Sequence, residues 1–180
     1  MRDKIKVVFL DRDGTIIEDY PDEKWGEVKT PVFLNGAIHT LKRLRESNYE
    51  IIILTNQYII NQGIISLEQY YEFTRRLVNI LLDNDIVLKD IFFCPHTKEE
   101  GCKCYKPKPG LFEQATLKYP NIDLDESLLV GDSFCDIELG NRVGIKTYGI
   151  NIKSDQFEYI EIESLQKLTD LLDLKEINIK

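Results

Sequence analysis

The sequence predicts an α/β fold in which a doubly wound parallel sheet forms a single domain over residues 1–180. Short apolar, β-branched runs alternate along the chain with segments of helical periodicity, and this alternation puts helices on both faces of a parallel sheet. Polar residues directly follow several apolar runs, at the edge where open parallel sheets bind ligands. A chain of 180 residues is long enough for one compact core and too short for two comfortable ones.

The predicted strands are the apolar runs, and the predicted helices are segments whose apolar residues recur at helical spacing. The first strand covers residues 4–10 and stops at a polar DRDGT segment, after which a long loop with two prolines and a glycine covers 16–34. Ser66 and Gln69 form a predicted capping box that opens the longest helix. The other predicted elements are, in chain order, helix 36–47, strand 49–54, helix 66–84, strand 89–93, helix 110–118, strand 127–130, helix 135–143, strand 145–150, strand 158–162 and helix 164–173. No large cap domain fits between them.

Composition and charge limit the kinds of function. Apolar residues make up 43% of the chain and charged residues 30%, as in soluble globular proteins, and no apolar stretch is long enough to span a bilayer. The N-terminal residues lack the small-residue cleavage site of a signal peptide, so we expect a cytoplasmic protein without a membrane partner. A net charge of −8 argues against nucleic-acid binding, because the phosphate backbone requires clustered Lys and Arg. We also expect a monomer.

Two carboxylates follow the first strand. Asp11 and Asp13 are two positions apart, so both can face one small volume while Gly14 lets the chain turn away. One carboxylate can attack a phosphorus atom, and the other can transfer a proton to the leaving oxygen and later take one from water. The alternatives are a polar turn and a calcium loop, but the calcium pattern needs further acidic positions that are missing here.

Candidate phosphate and substrate contacts come from three other segments. Thr55 and Asn56 end the second strand and offer hydroxyl, amide and backbone donors, although such a pair often only terminates a strand. Lys106 and Lys108 belong to a KPKPG segment whose prolines hold the direction of each lysine; alone, these would be two solvated loop lysines. Arg12, between the two carboxylates, is the further candidate substrate contact.

A magnesium site is predicted at the same sheet edge. Asp132 follows another apolar strand in the segment GDSFCD and can reach a cation that also touches Asp11, because neighbouring strands lie about 5 Å apart. Oxygen ligands of this kind suit Mg²⁺, which also binds substrate phosphate. Asp136 in the same segment either joins the site or caps the following helix.

A second metal site is predicted in a loop over 94–108. Cys94, His96, Cys102 and Cys104 supply three thiolates and one imidazole, a closed tetrahedral set for a structural Zn²⁺ that would brace the loop carrying Lys106. The spacing is not that of a zinc finger. Four unconnected residues are the alternative.

Four motifs together resemble the haloacid dehalogenase superfamily and occur in its usual order: FLDRDGT over 9–15, LTN over 54–56, Lys106 before a proline, and GDSFCD over 131–136. The resemblance implies that Asp11 is the nucleophile and Asp13 the general acid and base. It also implies that Thr55 and Lys106 hold phosphate, that Asp132 completes the magnesium site, and that the backbone carbonyl of Asp13 is a further magnesium ligand.

Within the superfamily, the Cys/His loop followed by KPKPG resembles the heptose 1,7-bisphosphate phosphatases and the histidinol-phosphate phosphatases. The segment 106–112 is more similar to the heptose group, and the short gap between His96 and Cys102 to the histidinol group. Tyr105 stands where both groups usually have an arginine, which helps to recognise substrate in the heptose enzymes. The resemblance implies a phosphatase that forms a phosphoaspartyl intermediate on a small phosphorylated metabolite and removes the 7-phosphate of the heptose bisphosphate, with histidinol phosphate as the alternative. A receiver-type phospho-accepting domain and an inactive zinc-braced binding module are the alternatives from other classes.

Overall fold

A six-stranded parallel sheet forms the centre of the computed structural model, which describes residues 3–172. Its strands are β1 (Lys6–Leu10), β2 (Tyr49–Asn56), β3 (Asp90–Cys94), β4 (Leu128–Gly131), β5 (Lys146–Ile150) and β6 (Ile160–Ile162). The spatial order is β3-β2-β1-β4-β5-β6, so the direction of winding reverses at β1. This is a common order for doubly wound sheets, whereas receiver domains arrange their strands in the order 2-1-3-4-5. The receiver-type alternative therefore does not fit this sheet.

Helices cover both faces of the sheet, as predicted. They are α1 (Ala37–Glu46), α2 (Leu67–Asp83), α3 (Gly110–Lys118), α4 (Phe134–Val143) and α5 (Lys167–Leu171). Val8 and Leu10 of β1 pack in a core that includes residues of α1, α2 and α5. Val7 and Phe9 point the other way, into a second core with residues of α3 and α4. The alternation of side chains along the strand therefore produces two apolar cores, one on each face of the sheet.

The predicted elements agree with the observed ones. The capping box at the start of α2 is confirmed: the Ser66 hydroxyl accepts from the Gln69 N–H at 3.1 Å, and the Gln69 side chain accepts from the Ser66 N–H at 2.7 Å. The last predicted helix, over 164–173, corresponds to the shorter α5, and residue 173 lies outside the described residues.

The connections before and after β2 contain no additional domain. Between β1 and β2 lie one short 3-10 turn, Asp22–Lys24, and α1; between β2 and β3 lies α2. The absence of a large cap domain, as predicted, leaves the carboxyl ends of β1, β2 and β4 open on one side. No helix among residues 3–172 is long and apolar enough to cross a membrane.

Candidate active site

The residues predicted from separate motifs line one cleft at the carboxyl edge of the sheet. Asp11 follows β1, and its backbone N–H donates to the carbonyl of Val130 in β4 at 3.0 Å, which ties the two strand ends together. The cleft has a volume of about 220 Å³. Its lining includes six of the predicted site residues: Asp11, Asp13, Thr55, Asn56, Lys106 and Asp132.

A buried lysine is the centre of charge in this cleft. The Lys106 ammonium donates to Asp11 Oδ1 at 2.7 Å, to the carbonyl of Leu54 at 2.8 Å and to Asp136 Oδ1 at 2.7 Å. Burial opposes the charge on Lys106, but the carboxylates of Asp11 and Asp136 outweigh it and raise the pKa of Lys106, so the lysine stays an ammonium. A fixed cation therefore lies beside the predicted nucleophile.

Asp136 has both of the roles that the sequence left open. Its Oδ1 receives the Lys106 ammonium, while its Oδ2 accepts from the Ser133 hydroxyl at 2.6 Å and from the Ser133 N–H at 3.2 Å, forming a capping box at the start of α4. Gly131 is needed for this arrangement, because a Cβ there would lie 2.2 Å from the Asp136 carboxyl carbon. Asp136 thus anchors Lys106 to a helix end.

Asp11, Asp132 and Asp136 bring carboxylate oxygens within 4.8 Å of one another. An octahedral Mg²⁺ with ligands at about 2.1 Å puts its ligand oxygens roughly 3 to 4.2 Å apart, so the spacing fits this ion. Because Asp136 is already held by Lys106 and Ser133, Asp11 and Asp132 are the carboxylates available to the cation. The ligand role predicted for the backbone carbonyl of Asp13 stays a prediction.

The protonation of this cluster reflects crowded negative charge. Burial, together with Asp136, raises the pKa of Asp132 to about 6. Burial also raises the pKa of Asp11, against the lowering effect of Lys106 and with the help of the other carboxylates. A divalent cation between Asp11 and Asp132 would relieve this repulsion.

Gly14 allows Asp132 to approach the first motif. The Asp132 Oδ1 accepts from the Thr15 hydroxyl at 3.0 Å. A Cβ on Gly14 would lie only 2.0 Å from Asp132 Oδ2, and the backbone of Gly14 has a φ of +81°, which favours glycine. The DRDGT turn and the fourth motif are therefore packed against each other.

The carboxylate of Asp13 lines the cleft but lies outside the cluster of Asp11, Asp132 and Asp136. Arg12 donates to it twice, from Nε to Oδ1 and from Nη2 to Oδ2, each at 2.9 Å. Gln57 Nε2 donates to Asp13 Oδ2 at 2.7 Å, and Gln57 Oε1 accepts from Arg12 at 2.9 Å. These contacts fix the direction of the Asp13 side chain.

Arg12 does not occupy the position of a substrate contact. Arg12 is 1% exposed, and its guanidinium carbon lies 5.2 Å from the ring centre of Phe73, 5.6 Å from that of Trp25 and 5.7 Å from that of Tyr70. This position does not support the substrate contact predicted for Arg12, because the side chain lies beside Trp25 and donates to Asp13.

The other predicted phosphate contacts differ in their surroundings. Thr55 is buried at the cleft, and its hydroxyl accepts from Gln57 Nε2 at 2.8 Å. Asn56 holds the Lys106 backbone, since its Oδ1 accepts from the Lys106 N–H at 2.9 Å and its Nδ2 donates to the Lys106 carbonyl at 3.2 Å. Lys108 is exposed, is not part of the cleft lining, and donates to the carbonyl of Cys102 at 2.7 Å. Lys108 therefore belongs to the loop, and its predicted substrate contact is not supported by this position.

The Cys/His cluster comes together beside the cleft. Cys94 Sγ lies 3.6 Å from Cys102 Sγ and 3.1 Å from Cys104 Sγ, and His96 Nδ1 lies 3.5 Å from Cys94 Sγ and 3.3 Å from Cys104 Sγ. A tetrahedral Zn²⁺ with normal bond lengths separates two sulfurs by roughly 3.8 Å and a sulfur from a nitrogen by roughly 3.6 Å. The four side chains thus fit one zinc ion after a small expansion.

Four further residues of the lining form what we call the outer wall: Asp19, Asp22, Tyr58 and Tyr105. The Tyr58 hydroxyl donates to Asp22 Oδ1 at 2.9 Å, and the rings of Tyr58 and Tyr105 lie 6.2 Å apart. Sequence reasoning missed the two aspartates and Tyr58, as well as Gln57. Asp19 and Asp22 lie in a segment without periodicity, so no sequence signal indicated that they reach the cleft.

Comparison with known proteins identifies the family. A family model described as polynucleotide kinase 3 phosphatase matches residues 6–143, more than half of the chain. A protein of Photorhabdus laumondii named D-glycero-alpha-D-manno-heptose-1,7-bisphosphate 7-phosphatase is 41% identical over 79% of this chain and 80% of its own length. The chain belongs to the haloacid dehalogenase superfamily of phosphatases.

Solved structures of the superfamily share this fold. The D,D-heptose 1,7-bisphosphate phosphatase of B. bronchiseptica, crystallised with magnesium and phosphate, superposes with a TM-score of 0.83, at 23% identity, over 93% of this chain and 98% of that one. An HAD phosphatase of Thermococcus onnurineus superposes with a TM-score of 0.64, at 18% identity, over 96% of this chain and 100% of that one. The predicted fold is thereby confirmed.

Proposed function

We propose that this protein is a magnesium-dependent phosphomonoesterase that removes the 7-phosphate of D-glycero-D-manno-heptose 1,7-bisphosphate through a phosphoaspartyl intermediate. The observation that carries the proposal is the contact between the Asp11 carboxylate and the buried Lys106 ammonium at 2.7 Å, beside Asp132, in an open cleft. Relatives named for this reaction, of which the Photorhabdus protein is one, supply the identity of the substrate.

In the first step, a carboxylate oxygen of Asp11 attacks phosphorus in line with the leaving oxygen. A bond forms between Asp11 and phosphorus, the ester P–O bond breaks, and Asp13 gives its proton to the sugar oxygen. Lys106 stabilises the negative charge on the transferring group, and the Thr55 hydroxyl and the N–H groups beside it are the further donors.

In the second step, water replaces the aspartate. Asp13 takes a proton from the water, whose oxygen attacks phosphorus, and the bond to Asp11 breaks to release inorganic phosphate. Arg12 and Gln57 hold the Asp13 carboxylate in place during both steps, since together they donate to both of its oxygens. The same residue therefore serves as acid and then as base.

The metal ions have separate parts in the proposal. Asp11, Asp132 and the carbonyl of Asp13 would hold Mg²⁺, which supplies charge neutralisation for the phosphoryl group. Cys94, His96, Cys102 and Cys104 would hold Zn²⁺, which has no open position and braces the loop 94–108. The bracing matters because this loop is continuous with Lys106, whose backbone Asn56 also holds.

Histidinol phosphate is the second candidate substrate, because its amino group would find the carboxylates of Asp19 and Asp22 on the outer wall. A polynucleotide substrate, which the name of the family model describes, is disfavoured by the net charge of −8. A cytoplasmic location is also part of the proposal, because the proposed zinc site needs reduced thiols. A single domain over 1–180 and a monomeric state complete it.

The test is phosphate release by the purified protein with Mg²⁺, using both anomers of the heptose bisphosphate, histidinol phosphate and a chromogenic phosphate ester. We expect Asp11→Asn to fold normally and to lose turnover by several orders of magnitude. A folded Asp11→Asn variant with near-native turnover would reject Asp11 as the nucleophile. Absence of magnesium-dependent phosphate release from every ester would favour the inactive binding module.

A further inference from the structure

The side chains that line the cleft include many carboxylates and few cations, and this balance limits which part of the substrate they can bind. Five carboxylates line the cleft, from Asp11, Asp13, Asp19, Asp22 and Asp132, whereas Lys106 is the single Lys or Arg among the described residues of the lining. The first two and Asp132 belong to the reaction and the magnesium site. Asp19 and Asp22 remain without a cation among the described residues of the lining.

Lys106 is not available to a second phosphate. An ammonium has three N–H donors, and in Lys106 they are directed to Asp11, Asp136 and the carbonyl of Leu54. Lys106 is 2% exposed and lies against Asp11, so its charge acts on the phosphate transferred to Asp11, and it has no free N–H donor for a phosphate farther out. Among the described residues that line the cleft, a phosphate bound farther out would meet carboxylates and no second Lys or Arg.

The outer wall is suited to a hydroxylated carbon chain instead. Carboxylate oxygens of Asp19 and Asp22 accept hydrogen bonds from sugar hydroxyls. Burial and the contact with Asp22 raise the pKa of Tyr58 to about 12, so the phenol stays protonated. The half-buried rings of Tyr58 and Tyr105 add an apolar surface for the C–H faces of a sugar.

The size of the cleft leads to the same conclusion. Its volume of about 220 Å³ lies below the 300–1,000 Å³ that is typical of pockets enclosing a whole small ligand. The cleft therefore encloses the transferring phosphate and the adjoining part of the sugar, and the far end of a bisphosphate extends into solvent.

We propose that the outer wall recognises the hydroxylated carbon chain next to the transferred phosphate and that the enzyme does not bind a second phosphate. The inference rests on the proposed function and deepens it: the substrate class is the phosphate monoester at the end of a sugar carbon chain, whether or not the sugar carries a second phosphate. The 1-phosphate of the bisphosphate then contributes nothing to recognition.

The test compares kcat/KM for D-glycero-D-manno-heptose 1,7-bisphosphate with kcat/KM for the corresponding 7-phosphate. The full-length protein is used at saturating Mg²⁺, and ³¹P NMR identifies the ester that is cleaved. We expect kcat/KM for the bisphosphate to exceed that for the 7-phosphate by less than about 10-fold. One charge-assisted hydrogen bond to the second phosphate would by itself supply a factor of about 10. A ratio of 10 or more in favour of the bisphosphate overturns the inference.

Two variants of the outer wall make the test independent of a single mutant. Tyr105→Arg introduces a cation, and Asp22→Asn removes a negative charge while keeping an acceptor for Tyr58. We expect each to raise the ratio, the first by about 10-fold, whereas Tyr71→Arg, which adds the same charge on an exposed part of α2, leaves it unchanged. If both wall variants fold and neither raises the ratio, the inference fails. If the wild-type protein hydrolyses neither sugar phosphate, the proposed function itself fails and the inference with it.

Discussion

Replacing Asp136 with asparagine tests whether the charge below Lys106 is necessary for its position. Asp136 is 1% exposed, receives the Lys106 ammonium on Oδ1 at 2.7 Å, and caps α4 through Oδ2. Asparagine has the same shape, but it removes one negative charge and keeps only one of the two acceptor oxygens, so its NH2 group must face the Ser133 donors if the oxygen stays with Lys106. The perturbation therefore changes charge and hydrogen bonding, and it creates no cavity.

The magnitude follows from the three acceptors of Lys106. A hydrogen bond to a charged partner contributes about 1.5–3 kcal/mol and a neutral one about 0.5–1.5 kcal/mol, so Asp136→Asn should lower the free energy of unfolding by about 1–2 kcal/mol. If the same free energy is lost from the stabilisation of the transition state by Lys106, kcat/KM falls roughly 5- to 30-fold. Asp136→Ala should cost about 3 kcal/mol or more, because it removes a partner of a buried ion pair.

Urea unfolding and magnesium-dependent hydrolysis of a chromogenic phosphate ester measure the two effects. Glu138→Gln is the matched control, since it removes the same charge from α4 at an exposed ion pair with Arg142 and should change the free energy of unfolding by about 0.5 kcal/mol or less. An Asp136→Asn variant whose stability and kcat/KM both match those of Glu138→Gln would refute the argument that Asp136 fixes Lys106.

Three further expectations concern the metal sites and the turn between them. Gly14→Ala should abolish most magnesium-dependent activity, because its Cβ would lie 2.0 Å from Asp132 Oδ2; titration of activity with Mg²⁺ checks this, and unchanged magnesium dependence would contradict it. Since the pKa of Asp132 is raised to about 6, the metal-free protein should lose stability as pH rises through 6. For the same reason Mg²⁺, which needs the ionised carboxylate, should bind at least about fourfold more weakly at pH 5.5 than at pH 7.5. The rise in melting temperature on adding Mg²⁺, measured at both pH values, checks the second expectation, and equal rises would refute it. Zinc chelation should increase proteolysis within 94–108 and lower activity indirectly, whereas purified protein that contains no zinc and resists proteolysis there would argue against the bracing role.

The strands and the main site residues could be predicted because both depend on local patterns. A buried strand must end where apolar residues stop, and in a parallel sheet the carboxyl ends of β1 and β4 lie side by side. Asp11 and Asp132 therefore converge for a reason that is visible in the sequence. The same holds for the Cys/His loop, whose four ligand residues lie within eleven positions of one another, residues 94–104.

The direction of Arg12 and the second role of Asp136 could not be predicted in this way. Arg12 lies between two cleft residues, yet its side chain is enclosed by Trp25 from the loop before α1 and by Tyr70 and Phe73 from α2. That enclosure depends on how two distant segments pack. Likewise, Asp136 is separated by 30 positions from Lys106, and only the fold brings the carboxylate and the ammonium together.

The arrangement of charge around Lys106 also links the metal to the substrate. Asp11, Asp132 and Asp136 cluster around one ammonium, so the cluster has an excess of negative charge before any ligand binds. A phosphate dianion would add to this excess, whereas a divalent cation between Asp11 and Asp132 would reverse it. Because Mg²⁺ removes the electrostatic cost of binding phosphate, and bound phosphate adds to the attraction for Mg²⁺, the two bind with positive coupling that is equal in both directions. An acidic protein can therefore select a phosphate ester, provided that the cation binds with it.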